Sequence, residues 1–74
     1  MGKSKLKITN KIRRLRFDAD EMTQKDLAEK VGVTRQTIVA IENAKYSPTL
    51  ELAILISRAF GKPLEEVFDI TDAQ

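Results

Sequence analysis

The chain has 74 residues, of which 42% are hydrophobic, and its formal net charge at pH 7 is +2. This length fits a single domain, and the composition is ordinary for a globular protein. Because the sequence contains no cysteine and no histidine, it lacks disulfides, thiolate metal sites and the commonest general base, so we expect neither an enzyme, nor a metal site, nor a cofactor.

Charge is unevenly distributed along the chain. Residues 1–16 contain seven lysines or arginines and no acid, whereas residues 50–74 contain five acids and two bases. We assign residues 1–9 to a basic N-terminal arm, which either follows a phosphate backbone or is a solvated tail. No membrane span is expected, because the apolar stretch at 50–60 is short and contains charges.

The first helix is expected from about Asn10 to Asp18, capped by Asn10 or Thr9 and with Ile12 and Leu15 facing inward. Residues 5–8, before this helix, alternate polar and apolar residues with the period of a strand. Residues 67–70 can pair with that segment, within one chain or between two chains.

Thr23 caps a second helix, in which Asp26 stands at the third position and nearly completes a capping box. Gly32 ends this helix, because a left-handed conformation is common at helix C-termini. Thr34 then caps a third helix, which spans residues 34–43.

The second and third helices satisfy the requirements of a helix-turn-helix at residues 23–43. Two helices that cross steeply over a short turn need a small side chain at the contact, and Ala28 supplies it. Gly32 suits the sharp turn, and Ile38 and Ile41 attach the third helix to the core. A plain helical hairpin in a bundle is the alternative, but it leaves the outward face of the third helix unexplained.

That outward face carries no acid; its residues are Arg35, Gln36, Val39, Ala40 and Asn43. Arg35 can form two hydrogen bonds to guanine and Gln36 two to adenine, while Val39 or Ala40 can contact a thymine methyl group. The set therefore favours a surface that lies in the major groove of DNA.

A fourth helix is expected to open at Thr49 and to close at Gly61, and a short fifth helix to cover about Leu64 to Phe68. The predicted fold is all-α: a compact five-helix domain at residues 10–70, with an optional terminal β pairing and a tail at 71–74.

Two neighbouring apolar residues, Ile54 and Leu55, lie largely off the buried stripe of the fourth helix. Such exposure suggests an interface, so we predict a homodimer that uses the fourth helix, the C-terminal segment, or both. The candidate residues are Ile54, Leu55, Phe68 and Ile70. Partial burial under the fifth helix or the terminal tail is the alternative.

The stretch TQKDLAEKVGVTRQTIVAIENAKYSPTLELA resembles the phage-repressor and Cro-like helix-turn-helix regulators, and the resemblance extends over about residues 10–68. It implies a cytoplasmic, nucleoid-associated regulator, more often a repressor, whose partners are double-stranded operator DNA and a second copy of itself. No small-molecule effector is evident.

The resemblance also assigns contacts. It implies base reading by Arg35, Gln36 and Ala40, with Thr37 reaching a base edge or a phosphate. Val39 joins the base-reading candidates on its chemistry alone. The resemblance implies phosphate contacts by Gln24, Thr34, Asn43 and Lys45. The chain departs from the family at Ala44, where glycine is usual; alanine there costs about 1 kcal/mol if its φ is positive.

Two rival functions share this fold. An antitoxin of a toxin–antitoxin pair would bind a toxin as well as DNA, but no obvious segment is present to wrap one. A protein-interaction module that has lost DNA binding is the other alternative, and Arg35 and Gln36 argue against it.

Overall fold

The computed structural model describes residues 6–72, and it confirms five helices and a short strand pairing. Residues 1–5 of the predicted arm and 73–74 of the predicted tail lie outside the described residues. The elements in chain order are β1 (Leu6–Asn10), α1 (Ile12–Asp18), α2 (Gln24–Val31), α3 (Arg35–Glu42), α4 (Leu50–Phe60), α5 (Leu64–Val67) and β2 (Phe68–Asp72). No helix of this region is both long and apolar enough to cross a membrane.

The two strands join the ends of the described region within one chain. They pair antiparallel, so that Leu6 lies opposite Asp72 and Asn10 lies opposite Phe68. For this reason α1 begins at Ile12 rather than near Asn10, and α5 ends at Val67 rather than at Phe68. The predicted pairing is thus confirmed, and it takes one residue from the end of α5.

Asn10 connects this small sheet to the helices. Its side-chain oxygen accepts a hydrogen bond from the backbone N–H of Ile12 (3.1 Å), and its amide nitrogen donates to the carbonyl of Ile41 (2.7 Å). The N-cap residue of α1 is Lys11, which makes no side-chain cap hydrogen bond, rather than the expected Asn10 or Thr9. The Asn10 side chain instead binds the first N–H of α1 and fixes the end of α3 beside it.

Threonine caps begin three of the helices, as predicted. Thr23 forms a complete capping box with Asp26, and the hydroxyls of Thr34 and Thr49 accept hydrogen bonds from backbone N–H groups at the starts of α3 and α4. Gly32 ends α2 with a φ of 80°, a left-handed conformation that costs glycine little. These local interactions define the helix ends in a domain whose core is small.

The core is formed by apolar side chains from all five helices, together with the first residue of β2. Its buried members are Ile12, Leu27, Ala28, Val31, Ile38, Ile41, Leu52, Ala53, Ile56, Val67 and Phe68. Phe68 was expected at a dimer interface, but it is only 8% exposed. The pairing of β2 with β1 carries this ring into the core of its own chain, where it offers little surface to a second copy.

A buried ion pair joins α1 to the end of α3. The guanidinium of Arg16 contacts both carboxylate oxygens of Glu42, at 2.6 and 3.1 Å, and also donates to the carbonyl of Met22 (2.8 Å). The side-chain amide of Gln24 donates to the same carboxylate (3.2 Å). The side chains of Arg16 and Glu42 are 15% and 7% exposed, so α1, α2 and α3 share one desolvated polar contact.

The second residue after the end of α3 has strained backbone geometry. Ala44 adopts a φ of 59°, in the left-handed region, while Asn43 keeps a φ of −84°. The penalty considered for alanine at this position therefore applies, because its Cβ is crowded in that conformation.

We predict that Glu42→Gln lowers the free energy of unfolding by about 3 kcal/mol, because it leaves the buried Arg16 guanidinium without its counter-charge. The matched control is Asp18→Asn, which breaks the exposed Arg14–Asp18 pair and should change stability by less than about 0.5 kcal/mol. Urea denaturation measures both. Equal losses in the two variants would contradict a structural role for the Arg16–Glu42 pair.

We predict that Ala44→Gly raises the free energy of unfolding by about 1 kcal/mol, since glycine adopts the left-handed conformation without steric cost. Ala19→Gly is the control, because Ala19 follows α1 with an ordinary φ of −95° and gains no such relief. Chemical denaturation measures the free energy of unfolding of both variants. If Ala44→Gly is less stable than the unmodified protein, the backbone of Ala44 is not strained.

Candidate nucleic-acid interface

The short connection between α2 and α3 is built from three residues. Gly32 and Val33 donate their backbone N–H groups to the carbonyl of Ala28, at 2.8 and 3.0 Å, and Thr34 caps the next helix. Ala28 is 3% exposed, so its small side chain lies where the two helices pack together. The helix-turn-helix predicted at 23–43 is present.

The third helix has two distinct faces. Ile38 and Ile41 are fully buried in the core, at 0% and 1% exposure. On the other side, Arg35 and Gln36 are exposed, as is Asn43 just after the helix. The structure therefore leaves the acid-free face of α3 open to solvent.

Three further base-reading candidates are half-buried: Thr37, Val39 and Ala40. The hydroxyl of Thr37 lies 3.1 Å from the hydroxyl of Thr34, so each already has a polar neighbour. Val39 and Ala40 have short apolar side chains, and they lie on the same helix as the longer, exposed side chains of Arg35 and Gln36.

The charge of this face depends on Glu42, which is the only acid in the sequence of α3. Its carboxylate is bound by Arg16 and Gln24 and is almost wholly removed from solvent. Arg35 therefore supplies the charge that α3 exposes, a sign that suits a polyanionic ligand.

The four phosphate-binding candidates have different environments. Asn43 and Lys45 are exposed in the turn after α3, and Thr34 is exposed at its start. Gln24 is half-buried, and one of its amide hydrogens is directed at Glu42. Its second amide hydrogen and its carbonyl oxygen remain available for a ligand.

One shallow depression brings together residues from α1, α2 and α3. Gln24, Arg35 and Asn43 line it, and so does Arg13; Glu21 is the one exposed acid among its lining residues. The sequence placed Arg13 only within a general basic segment. Its position beside α3 depends on how α1 packs, which the Arg16–Glu42 pair decides.

The candidate dimer residues on α4 are exposed. Ile54 and Leu55 are each 38% exposed, and Ile70 on β2 is 63% exposed. Sequence reasoning missed Leu50, which is 68% exposed on the first turn of α4. The available signal was an apolar residue four positions before Ile54, which is the spacing of neighbours on one helix face.

Comparison with known proteins agrees with this geometry. Residues 12–67 match the helix-turn-helix family. The chain is 53% identical over 51 residues to an uncharacterized HTH-type transcriptional regulator of Methanocaldococcus jannaschii, covering 69% of this chain and 77% of that protein. It is 48% identical over 59 residues to the uncharacterized HTH-type transcriptional regulator YgzD of Bacillus subtilis. The match covers 80% of this chain and 88% of that protein. It is 34% identical over 59 residues to the cryptic phage CTXphi transcriptional repressor RstR of Vibrio cholerae. The match covers 80% of this chain and 52% of that protein.

Proposed function

Because this chain belongs to the helix-turn-helix family, whose relatives named above are transcriptional regulators, we propose that it binds double-stranded DNA sequence-specifically, with α3 in the major groove. The family is one of regulators and not of enzymes. The observation that carries the proposal is the exposed, acid-free face of α3.

Direct reading of bases falls to two side chains at the start of α3. The guanidinium of Arg35 matches O6 and N7 of guanine, and the amide of Gln36 matches N6 and N7 of adenine. Val39 and Ala40 are short, half-buried and apolar, so they suit contact with a thymine methyl group. Thr37 lies close enough to this surface to add one hydrogen bond to a base edge or a phosphate.

Phosphate contacts on both sides of α3 would set its depth and register in the groove. Thr34 lies before the helix, and Asn43 and Lys45 lie after it. Gln24 adds its free amide hydrogen from α2. We add Arg13 to this group, because it lines the same depression as Gln24.

A single α3 reads only a few base pairs, so we propose that the protein acts as a homodimer on two half-sites about 34 Å apart. The exposed residues Ile54, Leu55 and Ile70 are the candidates for its interface. We propose that the protein acts as a repressor, since the Vibrio cholerae relative is named a transcriptional repressor. A dimer bound across an operator would exclude other proteins from that DNA.

We predict that Arg35→Ala weakens binding to a cognate duplex by about 1–3 kcal/mol and relaxes the preference at one base pair. The cognate duplex is obtained by selection from randomised DNA, and binding is measured on it and on its single-base variants. Arg14→Ala is the control, because Arg14 is exposed on α1 and pairs with Asp18. Unchanged base preference in the Arg35 variant would argue against base reading by this side chain.

We predict that Lys45→Ala weakens binding to all duplexes alike, because a phosphate contact carries no sequence information. The slope of log K against log salt should become less steep by about 0.9, the loss of one neutralised phosphate. Lys62→Ala, an exposed lysine after α4, should keep the original slope. Binding of the unmodified protein without any salt dependence would favour the protein-interaction module instead.

A further inference from the structure

The exposed side of α4 forms a small surface that the helix-turn-helix does not use. It consists of Leu50, Glu51, Ile54, Leu55 and Arg58, which together line one shallow groove; we name it the α4 outer face. None of these residues lines the depression beside α3. The three apolar members are between 38% and 68% exposed, an unusual concentration for a helix of 11 residues.

The charges on this face are separated along the helix. Glu51 stands in the first turn of α4 and Arg58 in the last turn. Seven residues correspond to about 10 Å along a helix axis, too far for a salt bridge within one helix. Neither side chain has an ion-pair partner within residues 6–72. The helix dipole favours each position, but it does not require both charges to share the apolar face.

The arrangement is complementary to itself. The midpoint between Glu51 and Arg58 falls between Ile54 and Leu55. If a second copy packs antiparallel about a two-fold axis at this midpoint, Glu51 lies opposite Arg58 of the second copy, and Arg58 lies opposite its Glu51. Ile54 and Leu55 then meet their own counterparts beside the axis, as an isologous interface requires.

We propose that the α4 outer face is the dimer interface and that its occupant is the α4 of a second copy, antiparallel and held in register by two Glu51–Arg58 ion pairs. This inference rests on the proposed homodimer and not on any contact with DNA. The face is small, so the dimer should dissociate on dilution. The ion pairs set orientation and register, while the apolar residues supply the buried area.

Charge reversal tests the register. Glu51→Arg and Arg58→Glu each place two like-charge pairs in the interface and should weaken dimerisation about tenfold or more. The double variant E51R/R58E restores opposite charges and should recover most of that loss. Glu65→Arg is the control, since Glu65 is an exposed acid of α5 outside this face. Sedimentation equilibrium without DNA measures all five proteins, and circular dichroism verifies that each is folded.

A cysteine variant tests the same geometry by another route. The chain contains no cysteine, so Leu55→Cys introduces a single thiol that would face its counterpart across the axis. Mild oxidation should join two copies of this variant, because a disulfide forms where Cα atoms lie about 4.4–6.8 Å apart. Glu65→Cys should remain mostly monomeric under the same conditions.

Three results would overturn the proposal: a wild-type protein that stays monomeric at high concentration, single charge reversals that dimerise as tightly as wild type, or Leu55→Cys that cross-links no better than Glu65→Cys. Since no DNA is present in these assays, a dimer that ignores duplex DNA would refute the proposed function alone. A protein that binds DNA but fails these assays would refute only the interface.

Discussion

The ion pair between Arg16 and Glu42 is the constraint on which the rest of this structure depends. It is almost free of solvent, and it joins the end of α1 to the end of α3 while Gln24 adds the start of α2. A polar contact of this kind requires that every member be satisfied, which allows few relative positions of the three helices. It also removes the only carboxylate of α3 from the surface, so the same interaction orients the third helix and sets the charge of its outer face.

A second constraint acts on α3 from the small sheet of β1 and β2. The pairing of β1 with β2 places Asn10 where its amide reaches the carbonyl of Ile41, one residue before Glu42. The C-terminal turn of α3 is thus attached to two elements through adjacent residues. Ile41 binds Asn10 of β1, and Glu42 binds Arg16 of α1. A domain with so small a core gains orientation from such contacts, because apolar packing alone is tolerant of small shifts between helices.

The molecule separates its two candidate surfaces onto different helices. The face of α3 is polar, free of acids and shaped by a buried ion pair, whereas the outer face of α4 is apolar and carries one charge of each sign at its ends. The first suits a long polyanion and the second suits a copy of itself. The depression beside α3 and the α4 outer face are lined by different residues, so the two proposed contacts do not compete for the same side chains.

The sequence by itself determined the features that depend on neighbours three or four residues away. Threonine caps, the glycine after α2, and the buried phase of Ile38 and Ile41 are local, since each involves a backbone or side-chain partner within one helical turn. Only the tertiary structure decided the burial of Phe68 and the position of Arg13 beside α3. These depend on which distant segments meet, and a pattern of polar and apolar residues specifies the face of an element but not its partner across the fold.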